Sequence, residues 1–322
     1  MDTYLHYNFY SYINKILDFS RSSSMLIAVS GGQDSLCLIK LIQDIVNKHK
    51  LTVNIGYIYV DHQWKKDSKQ QIKHLINLLK IKQAALSIYQ IKEIPNSELA
   101  ARNIRYKIII QHAIKYNYSI IMTGHTNTDQ IETFLLQLIR GNGIDAVTSL
   151  NKHRILNNHL QIIRPLINFS RSDITWFCRK FTLPIWSDIS NYEYNINRNR
   201  LRNELLPYLN KYFIFNVEKQ INYFLNISDI ENEYIKQNAI KLYLKSRHKT
   251  NLALNYWIIK QQHKALQVRV LQIFVYHNFN KTLTKNILNK LLNLIQNNKN
   301  NVHILKWKNL NFKININWLY FY

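Results

Sequence analysis

The chain has 322 residues, of which 47% are hydrophobic, so it is long enough for two domains that each bury a core, and a disordered tail is excluded. No window approaches the roughly 20 uninterrupted apolar residues of a membrane helix, and we expect no membrane partner. Lys and Arg total 43 against 19 Asp and Glu, and the resulting formal charge of +24 predicts a polyanionic partner, for which nucleic acid is the first choice.

The first 20 residues predict an amphipathic helix in which Tyr, Asn and His are mixed among apolar residues. They lack the basic start and apolar centre of a secretory signal, and they are not Arg-rich like a transit peptide. Abundant Asn, Ile, Lys and Tyr, beside only 6 Gly and 4 Pro, are typical of an AT-rich genome, which also raises Lys without any nucleic-acid partner. Such a bias indicates a plastid, an endosymbiont or an AT-rich bacterium. Of these we expect a plastid-encoded protein of the chloroplast stroma, with the bacterial cytoplasm as the alternative.

From residue 25 the sequence alternates strand-like and helix-like segments. Short apolar runs predict strands at 25–29, 53–60, 86–91 and 119–122, and apolar residues at helical spacing predict helices at 36–46, 67–79, 97–116 and 129–139. Repeated strand–helix units predict an α/β fold, a doubly wound parallel sheet with helices on both faces. A linker-like stretch follows at 151–159, then a short segment around 162–166 and a helix near 173–181.

The character of the sequence changes after Pro207. From about residue 217 to 296 it predicts Asn- and Lys-rich helices without glycine, and the end, 303–322, alternates more like strands. We therefore predict two domains, an α/β domain over 1–212 and a smaller, mostly helical domain over 213–322.

Between the first predicted strand and helix lies the hexapeptide Ser30-Gly31-Gly32-Gln33-Asp34-Ser35. The two glycines let backbone amides approach a phosphate closely, the serines offer hydroxyls, and the helix start adds free N–H groups. Asp34 would repel phosphates unless a cation lay between them, so its presence implies Mg²⁺. The plain alternative is a Ser/Gly turn with an acidic helix start.

This hexapeptide resembles the SGGxDS signature of the PP-loop ATP pyrophosphatases, a family with a HUP-like, Rossmann-like fold. The family cleaves ATP between the α and β phosphates, adenylates a carbonyl oxygen and lets a nucleophile displace AMP. A Walker loop, G-x-x-x-x-G-K-S/T, does not occur in the sequence.

The nucleophile separates the members of that family. Sulfur-inserting members use cysteine persulfides or an iron–sulfur cluster, and the two scattered cysteines, Cys37 and Cys178, cannot supply the several thiolates of a cluster. Such sparse cysteines are typical of a reducing compartment, and we expect both to pack as small buried hydrophobes. An amine is therefore the expected nucleophile.

Further stretches resemble one subfamily, the tRNA(Ile)-lysidine synthases, over about residues 24–210. Two departures stand out: Thr128 replaces the first of two adjacent acids, which weakens the expected recognition of lysine's amino group, and residues 61–65 read DHQWK where the family has D-H-G-L-R. The matching stretches are 61–62 (DH), 101–106 (ARNIRY), 124–133 (GHTNTDQIET) with 140–143 (RGNG), and 164–166 (RPL) with 188–191 (DISN) and 198–202 (RNRLR).

Asp129 and Glu132 are three residues apart at a helix start and share a face, so they could hold an amine of lysine or assist Mg²⁺. The alternative is a solvated acidic helix start, which the helix dipole also favours. With Asp34, these two acids and His125 at a strand end are the predicted catalytic residues. The predicted contacts to tRNA or phosphate are Arg102, Arg105, Arg140, Arg198, Arg200 and Arg202.

The resemblance implies that free L-lysine is joined to C2 of the wobble cytidine of the isoleucine tRNA with a CAU anticodon, with ATP and Mg²⁺ as cofactors. Two alternatives stay open. One is another PP-loop enzyme, a tRNA thiolase or an amide-forming synthetase, and the other is a non-catalytic RNA-binding protein. The oligomeric state, a homodimer included, also stays open.

Overall fold

A computed structural model describes residues 3–16, 24–63, 68–81, 85–95, 97–157, 159–186, 196–297 and 304–322. The chain divides into two compact units, Met1–Tyr223 and Phe224–Tyr322. The predicted boundary at residue 212 lies before this division and stays a prediction.

The first unit contains a six-stranded sheet. Its strands are β1 (Ser24–Ala28), β2 (Asn54–Asp61), β3 (Leu86–Gln90), β4 (Ile120–Thr123), β5 (His153–Asn157) and β6 (Leu160–Ile163). Their order across the sheet is β3-β2-β1-β4-β6-β5, and all neighbours pair in parallel except β5 and β6. The predicted doubly wound α/β class is confirmed.

Helices connect these strands and cover both faces of the sheet. Met25 and Ile27 of β1 pack in one hydrophobic cluster, whereas Leu26 between them packs in another, as alternating side chains of a sheet buried on both faces must. The helices are α1 (Tyr4–Ile16), α2 (Gln33–Lys48), α3 (Ser68–Ile81), α4 (Glu98–Lys115), α5 (Asn127–Ile139), α6 (Ile144–Val147), α7 (Arg171–Lys180), α8 (Asn197–Arg200), a π-helical segment (Leu201–Leu205) and α9 (Leu206–Tyr212).

The predicted amphipathic helix at the start of the chain is α1. Its buried apolar residues, Leu5, Phe9 and Ile13, recur every four positions and pack into the cluster that contains residues of α2 and α7. Exposed Tyr4 and Tyr7 lie on the other side of the helix.

The linker-like stretch at 151–159 was wrongly predicted, because His153–Asn157 forms β5. This strand lies at the edge of the sheet and pairs antiparallel with β6. Polar residues such as Arg154 are exposed there, which suits an edge strand and hides it from a search for apolar runs.

The division between the units falls within α10 (Val217–Ser246). The second unit combines helices with a four-stranded antiparallel sheet of order β7-β10-β9-β8, around a core that includes Phe274, Phe312 and Phe321. Its other elements are β7 (Ala253–Asn255), α11 (Tyr256–Lys260), α12 (Lys264–Phe279), α13 (Lys285–Asn297), β8 (Ile304–Trp307), β9 (Leu310–Asn315) and β10 (Trp318–Phe321). The helices and the strand-like end were predicted, and β7 was not. Among all the described helices, none has the length and apolar character needed to cross a membrane.

Candidate active site

The turn between β1 and the start of α2, residues 30–35 (the phosphate turn), has the backbone geometry of an anion-binding loop. Gly31 adopts a φ of +78°, a left-handed conformation that side chains disfavour, and its carbonyl accepts a hydrogen bond from the Trp186 N–H at 3.0 Å. Gly32 caps α2 in extended conformation, and no side chain accepts from the first-turn N–H groups of this helix. Those N–H groups and the positive end of the helix dipole can therefore receive a phosphate.

The two serines of the turn are held by hydrogen bonds. Ser35 Oγ donates to the Gly32 carbonyl at 2.9 Å, and Ser30 Oγ donates to Ser35 Oγ at 3.4 Å. The side-chain amide of Gln71 on α3 donates to the Ser30 carbonyl. The loop is thus fixed from α3 as well as from its own residues, which lowers the conformational cost of ordering it around a ligand.

Asp34 lies in the first turn of α2 with its Oδ1 atom buried, and no described residue makes a hydrogen bond to that atom. Burial and the nearby carboxylate of Asp129 raise the pKa of Asp34 to about 7, against the smaller opposing effects of Arg171 and Arg202. A buried oxygen without a donor fits a cation, so Asp34 could hold Mg²⁺. The described residues contain no cluster of three or more His, Cys, Asp or Glu, so phosphate oxygens and water would complete the coordination.

Gly124, at the end of β4, allows α2 to approach this strand closely. A Cβ atom on Gly124 would lie 3.2 Å from the Asp34 backbone C and O atoms and 3.3 Å from the Ser35 nitrogen. Close packing against the phosphate turn therefore explains why a glycine precedes His125. Because β1 and β4 are adjacent, the turn and the residues after β4 share one edge of the sheet, where the strand order reverses.

His125 is a neutral group in this site. Its Nδ1 lies 2.8 Å from Thr123 Oγ1. Burial lowers the pKa of His125 to about 3. The carboxylate of Asp129 acts to raise this pKa, whereas the positive charges of Arg164, Arg102 and Arg105 lower it further. The imidazole is therefore uncharged at pH 7 and can form hydrogen bonds without adding charge.

Asp129 closes a capping box at the start of α5. Its Oδ2 accepts from the Thr126 N–H at 2.9 Å and from Thr126 Oγ1 at 3.1 Å. Burial alone would raise the pKa of Asp129, but His125, the Thr126 N–H, Arg198 and Arg202 together hold it below its usual value. Asp129 is therefore an anion whose position is set by the helix start.

Glu132 is completely buried, and two arginines neutralise it. Arg202 Nε donates to Glu132 Oε1 at 2.5 Å, and Arg198 Nε lies 3.1 Å from Oε2. Burial raises the pKa of Glu132 despite the opposing charge of Arg202. Arg202 also reaches Asp129 Oδ1 at 3.9 Å, and Arg198 pairs with Glu98 at 3.1 Å.

Arg198 and Arg202 face the same side, as their i, i+4 spacing predicts, and that side contains the acid pair. The π-helical segment includes Arg202 and widens the turn just where these contacts form, which is a common setting for functional sites. Arg200 points elsewhere and pairs with Glu204 at 3.1 Å.

The remaining predicted arginines are spread over two helices. Arg102 lies on α4 with its guanidinium 5.6 Å from the Tyr106 ring, and Arg105 is exposed one turn later. Arg140 is exposed at the far end of α5, roughly 16 Å along the helix from Asp129 at about 1.5 Å per residue. Arg140 is therefore separate from the acid pair, and its contact with RNA stays a prediction. Trp64 and Lys65 of the DHQWK stretch and the stretch 188–191 lie outside the described residues.

Three residues of the site were not predicted. Arg164 is buried and donates to the Asn151 carbonyl at 2.6 Å and to the Tyr106 hydroxyl at 3.3 Å. Glu98 pairs with Arg198, and Arg171 acts on the charge of Asp34. Arg164 was part of a quoted motif, but no signal in the sequence connects the other two with partners 100 or more residues away.

The two cysteines are free and buried, as predicted. Cys178 Sγ donates to the Gln33 carbonyl at 3.4 Å. Contact with Cys178 and burial raise the pKa of Cys37, so a thiolate nucleophile is disfavoured.

Comparisons with known proteins agree with this geometry. The PP-loop domain family matches residues 3–209. A chloroplastic tRNA(Ile)-lysidine synthase from Gracilaria tenuistipitata var. liui is 52% identical over 318 residues, covering 99% of this chain and 98% of the relative. The tRNA(Ile)-lysidine synthase of Nostoc sp. strain PCC 7120 is 34% identical over 284 residues, covering 84% of this chain and 82% of the relative.

Among solved structures, the U34-tRNA thiolase NcsA from Methanococcus maripaludis, with its 4Fe-4S cluster, has a TM-score of 0.57. Its sequence is 14% identical, over 69% of this chain and 78% of the thiolase, and the likeness is one of fold alone. The near full-length similarity to the two synthases, the family match and the phosphate turn lead to one assignment. The chain belongs to the tRNA(Ile)-lysidine synthases, ATP-using enzymes of the PP-loop domain family.

Proposed function

We propose that this protein ligates free L-lysine to C2 of the wobble cytidine of the CAU-anticodon isoleucine tRNA. The observation that carries the proposal is the shared location of an anion-binding turn and a carboxylate pair. The turn follows β1, the carboxylates follow β4, and these strands are neighbours. A triphosphate and an amine can therefore be bound at one edge of the sheet.

In the first step, O2 of the cytidine attacks the α-phosphorus of ATP and pyrophosphate leaves. The pyrophosphate would be held by the N–H groups at the start of α2 and by Ser30 and Ser35. Mg²⁺ at Asp34 would neutralise charge on the leaving phosphates. The neutral imidazole of His125 would form hydrogen bonds in the same cleft without a charge that attracts or repels the phosphates.

In the second step, the ε-amine of lysine attacks C2, the bond between C2 and O2 breaks, and AMP leaves with that oxygen. The amine loses a proton as the new C–N bond forms. The pKa of Asp129 is held below its usual value, so this carboxylate is an anion at pH 7, and we assign to it the binding of an ammonium group of lysine. Each oxygen of Glu132 pairs with an arginine, so Glu132 would position Arg198 and Arg202 instead of binding lysine.

The substrate RNA would be bound by the basic surface of the enzyme. Arg102, Arg105, Arg140 and Arg200 are exposed or half-exposed, and we assign them to phosphate contacts. Residues 213–322 would form a tRNA-binding domain, which suits the formal charge of +24 of the whole chain. The wobble base must be unstacked to reach the turn, and an anticodon loop allows this more easily than a duplex.

The product base, lysidine, pairs with A instead of G, so the modified tRNA would read AUA instead of AUG. We place this reaction in the chloroplast stroma, because the relatives include chloroplastic and bacterial synthases and the composition is typical of an AT-rich genome. Expression of a tagged copy in the source cell, followed by organelle fractionation, tests this location.

The test of the reaction is pyrophosphate release from ATP, measured with lysine, with the tRNA, with both and with neither. We expect release to require both substrates and radiolabelled lysine to enter the RNA in equal amount. A tRNA whose wobble cytidine is replaced by uridine is the matched control and should accept no lysine. RNA binding without turnover would contradict the proposal, and so would incorporation of sulfur.

A further inference from the structure

The outward face of α7 combines cations with an exposed aromatic ring. Ile174, Phe177 and Cys178 of this helix are buried in the core of the first unit. The opposite side carries an indole, Trp176, that is 47% exposed. The outward face of α7 consists of Arg171, Ser172, Thr175, Trp176, Arg179 and Lys180, which line an open groove of about 910 Å³.

Two cations of this face, Arg179 and Lys180, have no acidic partner among the described residues. The one acid on the helix, Asp173, caps the helix start, where its carboxylate accepts from the N–H and the hydroxyl of Ser170. Among the described residues, no carboxylate lies within ion-pair distance of Arg179 or Lys180. The outward face of α7 therefore presents positive charge that favours an anionic partner.

The ring of Trp176 is set in position by its neighbour. The ammonium of Lys180 lies 4.9 Å from the centroid of the indole, at the i, i+4 spacing that puts both on one side of the helix. An exposed aromatic ring beside cations is the combination with which proteins bind single-stranded nucleic acid. Bases stack on the ring, and the cations contact the phosphate backbone.

The outward face of α7 is continuous with the phosphate turn. Thr175 Oγ1 donates to Gln33 Oε1 at 3.3 Å, and Cys178 contacts the Gln33 carbonyl from the buried side. Gln33 is the first residue of α2. A chain of nucleotides lying across this face would therefore lead directly to the site where a base is adenylated.

We propose that the outward face of α7 binds single-stranded RNA, with Trp176 as a stacking platform and Arg179 and Lys180 as phosphate contacts. The inference rests on the proposed function and adds a surface by which the anticodon loop reaches the site. A single strand fits better than a duplex, because a duplex does not expose the faces of its bases to an indole. ATP fits less well, because the groove is open along its length and is not closed around a small molecule.

The test compares Trp176→Ala and the double variant Arg179→Gln/Lys180→Gln in the full chain. The matched control is Tyr116→Ala/Lys115→Gln at the C-terminal end of α4. There too an exposed ring and a lysine lie 5.2 Å apart, but the pair precedes β4 instead of following it. Binding of the isoleucine tRNA and of a 12-nucleotide oligouridylate is measured at several salt concentrations. The KM for ATP is measured in parallel.

We expect Trp176→Ala to weaken binding of both RNAs about tenfold without changing the dependence on salt. The arginine–lysine variant should reduce the slope of log K against log salt for the oligouridylate by about 1.4, since each single-strand phosphate contact contributes about 0.7. Trp176→Phe keeps a ring and should retain most of the affinity. The control variant should bind within about twofold of the parent protein, and no variant should change the KM for ATP.

The proposal is overturned if both RNAs bind the α7 variants as tightly as they bind the control variant. It is also overturned if the KM for ATP rises while RNA binding is unchanged, because the groove would then be a binding site for ATP. Equal losses with Trp176→Phe and Trp176→Ala would exclude stacking. Failure of the parent protein to attach lysine would refute the proposed function alone, since the oligouridylate arm does not depend on that reaction.

Discussion

Asp34 makes the stability of the first unit depend on pH. Burial and Asp129 raise its pKa from 3.8 to about 7. Well below pH 3.8 the carboxyl is protonated in the folded and the unfolded chain alike and does not affect stability. Between pH 3.8 and 7 the unfolded chain gives up this proton first, so the folded state loses stability as the pH rises. Above pH 7 the cost is about 4 kcal/mol, because each unit of pKa corresponds to about 1.36 kcal/mol.

The variant Asp34→Asn imitates the protonated side chain and removes this cost. We expect it to raise the free energy of unfolding by about 4 kcal/mol at pH 8 and by about 2 kcal/mol at pH 5. Turnover should be lost at both pH values, because an amide cannot replace a carboxylate in the Mg²⁺-binding role that we propose for Asp34, and tRNA affinity should be nearly unchanged. Urea unfolding at the two pH values, with pyrophosphate release as the activity assay, measures both effects.

Glu93→Gln is the matched control, since Glu93 is an exposed carboxylate of the same unit. It should leave the free energy of unfolding unchanged at both pH values. A stabilisation by Asp34→Asn that is equal at pH 5 and pH 8 would refute the link between the raised pKa and stability. A destabilised variant at pH 8 would show instead that Asp34 is required for folding.

Gly31→Ala should raise the KM for ATP, because a residue with a Cβ atom at a φ of +78° costs about 1–2 kcal/mol and the turn would relax away from its phosphate-binding form. Steady-state kinetics measures this KM, and an unchanged value would contradict the prediction. Glu132→Gln should lower the free energy of unfolding by about 3 kcal/mol, since it leaves the guanidinium groups of Arg198 and Arg202 without their shared carboxylate. In a double-mutant cycle, the second change Arg202→Gln should restore part of this loss. Thr128→Asp adds an acid beside Asp129 and should lower the KM for lysine severalfold while the KM for ATP stays the same, a split that a general effect on folding would not produce.

The sheet could be predicted because its central strands are continuous apolar runs. A strand buried on both faces, such as β1, must be apolar throughout, and this signal is local. The edge strand β5 could not be predicted in that way, because Ile155 is exposed and its neighbours His153 and Arg154 are polar. Its strand conformation depends on pairing with β6, and this pairing cannot be predicted from the sequence of either strand alone.

The candidate site divides in the same manner. The phosphate turn was predictable because all its parts are contiguous in sequence, and its geometry follows from two glycines before a helix start. The contacts of Glu132 join α5 to residues 66 and 70 positions later, and the charge of Arg171 acts on Asp34 from more than 130 positions away. Such contacts depend on how α7 and α8 pack, so the sequence indicated which residues carry charge but not which charges meet.

The carboxylates of this site are arranged so that they do not repel a polyanion. The pKa of Asp34 is raised to about 7, so this carboxyl keeps its proton below that pH, and Glu132 lies between Arg198 and Arg202. The pKa of Asp129 is held below its usual value, so this carboxylate is an anion at pH 7, with Thr126 donating to one oxygen and Arg202 3.9 Å from the other. A lysine ammonium that binds Asp129 must therefore share it with Arg202, whose closer partner is Glu132 at 2.5 Å. If Arg202 gave up its longer contact with Asp129, it would keep Glu132, so an ammonium bound at Asp129 would leave no guanidinium unpaired.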